Sequence, residues 1–255
     1  MANWVTLSAK QHRNSRFWIP DTMRHTAAFR LVPILKAELP LAVAQYVLAF
    51  AEIRGEIQLV ALLGASGERH LYLNGDGSWH GSYIPAMLRG YPFKTIPLEE
   101  DRLGLAIDAD VLTDDPEQGQ VLFKAEGVLS DEVERYAEFL KQCHLSQVAT
   151  DRAVQALNQH GLLVPWTEEP QDKSGKVKGL LQIDKARFDA LAPQEVAALK
   201  GAPLAIAYGQ IFARGQLDML LKRAQNLKAA SPASDTGPSF LEEAGQETLV
   251  FDFDS

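Results

Sequence analysis

The residue types best suited to chemistry gather between positions 79 and 93. Trp79, Tyr83, Arg89, Tyr91 and Phe93 combine indole, phenol and phenyl rings with one guanidinium, and Pro85 and Pro92 stiffen the backbone between them because a pyrrolidine ring locks φ. Rings beside a guanidinium can form a concave surface that holds a planar or carboxylate-bearing ligand, by stacking and by paired hydrogen bonds. The same rings can equally be core packing around a rigid connector, since aromatic side chains contribute most of their energy through burial. Arg89 discriminates between the two. A guanidinium in a pocket serves a ligand; one sealed against a structural carboxylate serves the fold. Asp108 and Asp184 each follow an apolar run, and a carboxylate at a strand end can complete a site with Arg89. Asp184 is accounted for more simply as a helix N-cap.

Other reactive side chains reduce to local structure. Of the histidines, His12, His25, His70, His80, His144 and His160, no two stand four residues apart as a helical metal pair requires. Cys143 is the single cysteine, which excludes an internal disulfide and any multi-thiolate zinc site. Its neighbour His144 points in a different direction on a helix, so a Cys–His nucleophilic pair needs another histidine supplied by the fold. The plainer expectation is a buried thiol. Asn74-Gly75-Asp76-Gly77-Ser78 begins like a calcium loop, but Trp79 stands where that loop needs glycine and Pro85 where it needs a bidentate glutamate. Gly64-Ala65-Ser66-Gly67 and Gly175-Lys176 lack the spacing of a nucleophile elbow and a phosphate loop, and read as turns. No catalytic residue, metal ligand or cofactor is assigned.

The elements that must position these residues are partly visible. His70 to His80 predicts a β-hairpin, because Asn-Gly and Asp-Gly supply the positive φ of tight turns. An even-numbered loop would pair Leu73 with Ser78 and Tyr72 with Trp79, and would put His70 and His80 on opposite faces. Ile57 to Leu63 and Leu103 to Ile107 are apolar runs of strand length. Leu31-Val32-Pro33 and Leu39-Pro40 place extended geometry at Val32 and Leu39, while Leu41 to Phe50 fits a short helix or a buried strand. Ser130, followed by Asp131 and Glu132, caps a helix carrying Val133, Tyr136, Ala137 and Leu140. A second helix runs from about Ser146 to His160 and stops at Gly161. Leu162 to Trp166 and Val177 to Ile183 are extended. Asp184 opens a helix with Ala186, Phe188 and Leu191; Pro193 starts another with Val196 and Leu199 inward; and Pro203 opens a third that runs to about Lys228.

Strands concentrate in the first half and helices in the second without regular alternation, so the expected class is α+β, a mainly antiparallel sheet with helices packed on it. Residues 1–228 form one domain. Residues 229–255 form a linker poor in large apolar residues, then a tail in which Phe251 and Phe253 alternate with acidic residues, a pattern suited to strand addition either to this chain or to a partner. With 46% hydrophobic and 23% charged residues over 255 positions the composition is globular, and a net charge of −8 repels phosphate backbones and anionic lipid. Nucleic acid and membrane insertion are therefore not expected partners. The N-terminus lacks a secretory apolar run, which places the chain in the cytoplasm by expectation.

Taken in order, Leu31-Val32-Pro33, Glu38-Leu39-Pro40, Leu62-Leu63-Gly64, Trp79, Tyr83-Ile84-Pro85, Leu88-Arg89, Tyr91-Pro92-Phe93 and Ile107-Asp108 resemble the bacterial SapC-like family. Gly161-Leu162-Leu163, Gly179-Leu180, Ile183-Asp184 and Ile206-Ala207-Tyr208 fit the same pattern, so the likeness spans roughly residues 4–225. The family is named for a surface-layer-associated protein and is unrelated to the transporter permease of that name. Its members are often encoded beside TonB-dependent receptors and halogenase-like flavoproteins, which implies a setting of nutrient uptake or peptide tailoring. Three functions stay open. The first is a non-catalytic binding or adaptor protein that recognises a peptide or partner protein through Trp79, Tyr83, Arg89, Tyr91 and Phe93. The second is an enzyme or tailoring subunit with a site around Arg89 and Asp108, and the third a surface-layer component.

Overall fold

The computed structural model describes residues 3–64, 70–98, 102–166 and 179–229. In chain order these form β1 (Trp4–Thr6), α1 (Ala9–His12), β2 (Arg16–Phe17), β3 (Leu31–Pro33), α2 (Leu39–Ala42), β4 (Leu48–Ile53), β5 (Glu56–Leu62), α3 (Ala86–Arg89), β6 (Phe93–Pro97) and β7 (Leu103–Asp108). There follow β8 (Leu112–Thr113), β9 (Gln120–Val121), α4 (Asp131–Gln159), β10 (Leu163–Pro165), β11 (Leu180–Ile183), α5 (Lys185–Asp189), α6 (Pro193–Ala198), α7 (Ala202–Ala213) and α8 (Leu217–Ala229). Every strand pairing is antiparallel, in sheets ordered β10-β11-β4-β5-β3, β1-β7-β6 and β8-β2-β9. The class is α+β, as expected.

Two apolar clusters share one helix. The larger lies between the five-stranded sheet and α4, α7 and α8, and includes Tyr46, Phe50, Leu59, Val154, Leu157, Ile206 and Leu220. The smaller surrounds Phe17, Phe93, Ile107 and Leu122, with Val133 and Leu140 supplied by the first turns of α4. Phe139, also on α4, packs against both. Where two helices were expected, α4 is a single one of 29 residues, about 44 Å long at 1.5 Å per residue. No glycine or proline interrupts it, and Ser146, the expected second start, lies mid-helix with its carbonyl accepting the Thr150 hydroxyl at 2.6 Å. The expected caps hold at both Ser130 and Asp184, whose side chains accept N–H bonds from Val133 and Arg187, and Gly161 follows α4 at φ +64°.

Other expectations are corrected. The helix opened by Pro203 breaks at Arg214–Gln216, a 3-10 turn around Gly215, where glycine weakens helical continuity. Val196 is exposed, whereas Leu199 is buried. Leu39 is helical rather than extended: the Glu38 carboxylate accepts the Leu35 N–H at 2.8 Å, closes a 3-10 turn over Lys36–Glu38 and delivers Leu39 into α2. Proline at the second helical position is tolerated because its missing N–H has no partner there. Leu41 to Phe50 proves to be both a helix end and a strand. In the 70–80 hairpin Leu73 pairs with Trp79, one residue off the even-loop register. Asn74 and Ser78 close a three-residue loop in which Gly77 takes φ +91°, the turn-plus-bulge form that adds one residue. His70 is buried and His80 exposed.

Candidate functional site

The segment from Trp79 to Arg89 is fastened to the core through Glu38, whose side chain is 4% exposed. Glu38 Oε1 accepts the Tyr83 hydroxyl at 2.6 Å and the Ala86 N–H at 2.7 Å, while Oε2 holds the Leu35 N–H. A carboxylate survives burial when its lone pairs are filled in this way. Above it the Tyr83 carbonyl accepts the Tyr46 hydroxyl and, at 3.1 Å, the Trp79 indole N–H. The Trp79 ring lies nearly parallel to Tyr72 at 5.9 Å and receives the edge of His70 at 5.0 Å. Gln45 Oε1 takes the N–H groups of Ser82 and Tyr83, each at 3.2 Å. So strapped, the backbone enters α3 at Pro85 with one outcome for its last side chain: Arg89 faces out.

The Arg89 guanidinium carbon is 5.6 Å from the Tyr83 ring centre and 5.1 Å from that of Phe139, and Nη2 lies 3.4 Å from the Tyr83 hydroxyl. The first turns of α4 place Glu132, Arg135, Tyr136 and Phe139 opposite, and together with Arg89 they line an open groove of about 220 Å³. That volume lies below the range of small-molecule sites and suits one or two side chains of a larger partner. Arg135 is paired with Glu132. Arg89 has no carboxylate partner among the described residues. Burial, reinforced by the Glu38 hydrogen bond, pushes the Tyr83 phenol above its ordinary range, so it remains a donor at neutral pH. Beneath the groove the Cys143 thiol is pushed up to about 11 by burial and by the Glu38 charge, with Arg89 opposing. A thiol in that state is a poor nucleophile.

Tyr91, Phe93 and Asp108 belong to a different neighbourhood. Phe93 is 2% exposed, edge-on to Phe17 at 5.1 Å and against Tyr136 at 4.9 Å. Half-buried Tyr91 stacks on His25 at 3.8 Å and donates its hydroxyl to Asp108 at 2.9 Å. Asp108 is 2% exposed and also accepts the N–H groups of Asn3 at 3.0 Å and Asp110 at 3.2 Å, which ties β1 to the end of β7. The five expected binding residues therefore divide. Arg89 lines the groove, Tyr83 carries Arg89 from outside the lining, Trp79 bonds the Tyr83 carbonyl, Phe93 supports Tyr136 from the core, and Tyr91 serves Asp108. Asp108 does not line the groove. Phe251 and Phe253 lie outside the described residues.

A family model described as SapC matches residues 7–220. The chain belongs to the SapC family. No curated protein and no solved structure matches it. The SapC match takes in the whole groove and stops short of the acidic-aromatic tail. Among the described residues of this SapC chain, no three His, Cys, Asp or Glu side chains stand together as a metal site, and no helix is long and apolar enough to cross a membrane.

The α4 wall escaped the reading of the sequence. Glu132, Arg135, Tyr136 and Phe139 recur at i, i+3, i+4 and i+7, the spacing of a single helix face. Two charges followed by two rings on one such face were the available sign that it is not wholly interior.

Proposed function

We propose that this SapC-family chain is a non-catalytic binding or adaptor protein that receives a peptide or protein segment in the groove between α3 and α4, gripping a carboxylate flanked by apolar groups. The observation that carries the proposal is Arg89, an exposed guanidinium held over two rings without a carboxylate of its own among the described residues. Such a cation is already oriented, so little side-chain entropy is lost when an anion arrives. The aromatic floor of Tyr136 and Phe139 then adds apolar contact beside the charge. The tailoring-enzyme reading has less support, because Asp108 is committed to Asn3, Tyr91 and Asp110 and the Cys143 thiol is protonated beneath the groove.

A peptide array probed with the purified chain tests the proposal. Sequences joining an acidic residue to aromatic or aliphatic neighbours should be retained, and Arg89→Ala should weaken them at least about tenfold, roughly 1.4 kcal/mol. Equal retention by the variant, or release of a chemically altered peptide, would overturn it.

A further inference from the structure

Charge, ring chemistry and reach together point to an occupant for the groove within this chain. We infer that Leu249-Val250-Phe251-Asp252-Phe253-Asp254 docks in cis between Arg89 and the first turns of α4, as a tethered guest that an external peptide must displace. This rests on the reading of the groove as an acceptor of acidic, apolar peptides. The tail matches that chemistry residue by residue: Asp252 and Asp254 offer carboxylates, and Phe251 and Phe253 offer rings. The groove offers the Arg89 guanidinium beside the rings of Tyr136 and Phe139, its other cation, Arg135, being paired with Glu132 of the same wall, on a chain whose net charge of −8 otherwise disfavours acidic segments.

A chain of contacts links the helix that leads into the tail to the groove. On α8 the Arg223 guanidinium lies 4.6 Å above the Tyr72 ring, Tyr72 stacks on Trp79, Trp79 bonds the Tyr83 carbonyl, and the Tyr83 ring carries Arg89. Four contacts therefore connect the helix that leads into the tail with the cation proposed to receive it. The chain from 229 to 249 can extend to roughly 70 Å, and tethering at this length gives an effective concentration near the millimolar range. An occupant of side-chain dimensions also agrees with a groove of about 220 Å³.

The test uses the full chain with Phe253 replaced by the photo-crosslinker p-benzoylphenylalanine. Irradiation should give a product of monomer mass, with the label mapped to α3 or to 132–139, and Arg89→Ala should reduce its yield several-fold. The full chain carrying Asp252→Asn and Asp254→Asn should in turn capture the array peptides several-fold more tightly, because its internal competitor is weakened. A label mapped elsewhere, a product of dimer mass or no product overturns docking in cis. In any of those cases, continued Arg89-dependent capture of array peptides leaves the groove's external role standing. Loss of capture by both the wild-type chain and the tail variant overturns that role as well.

Discussion

Glu38 and Arg89 show how one neighbourhood can contain both a structural charge and a displayed one. Glu38 is sealed in and bonded by three donors, the Leu35 and Ala86 N–H groups and the Tyr83 hydroxyl. Removing its charge while keeping its shape would turn an acceptor into an amide whose N–H₂ faces those donors. We expect Glu38→Gln to lower stability by roughly 2–3 kcal/mol, as for a buried charge-assisted group left unsatisfied, measured as a shift in the urea midpoint. Arg89→Ala, in contrast, removes an exposed side chain that closes no ion pair, so the same measurement should move by less than about 0.5 kcal/mol. A large loss for Arg89→Ala would mean that its ring contacts hold the fold, and would remove the reason for treating it as a ligand-facing group.

At the scale of elements, α4 connects the sheet to the groove, and its start depends on Ser130. The Ser130 hydroxyl accepts the Val133 N–H from a buried position, followed by Asp131, Glu132 and Glu134 in the turn where negative charge suits the helix dipole. Ser130→Ala should cost about 1 kcal/mol, and because Glu132 and Arg135 sit in the same turns it should also weaken peptide capture while leaving α7 unaffected. This cap was legible in the sequence, as were Asp184 and the apolar runs of β5 and β7, because each depends on near neighbours. The β4–β5 turn was not. Arg54 holds φ 54° and Gly55 φ 84°, so an arginine occupies a left-handed position that asparagine or glycine would normally announce. Tyr91 and Phe93 likewise look equivalent in sequence, and only distant partners, His25 and Asp108 for one and Phe17 for the other, separate a half-open ring from a core ring. The groove was half legible on the same grounds: Tyr83 and Arg89 stand near each other in one proline-stiffened segment, whereas the distant Glu38 that fastens that segment and the face that α4 turns toward it depend on long-range packing.

Across the whole molecule the buried histidines set the response to acid. Burial lowers both His25 and His70 from 6.5 to about 4, against which Asp108 raises His25 and Arg30 further lowers His70. The unfolded chain therefore takes up their protons first as pH falls below about 6.5, and stability is lost from there down to about pH 4. Asp151, raised by burial to about 6, acts in the opposite sense, since its folded form binds the proton earlier. Two histidines outweigh one carboxyl, so urea midpoints should fall between about pH 7 and pH 5. For His70, which is 3% exposed, the loss at pH 5 is on the order of 2 kcal/mol. His70→Gln should flatten that slope, and an unchanged slope would mean the ring is solvated. Because α4 is gripped along its length by the sheet at one end and by Phe17, Phe93 and Ile107 at the other, we expect the side of the groove it builds to keep its orientation when a segment enters. On the proposed reading, segments would then be chosen by their fit to a fixed mould and not by its pliancy.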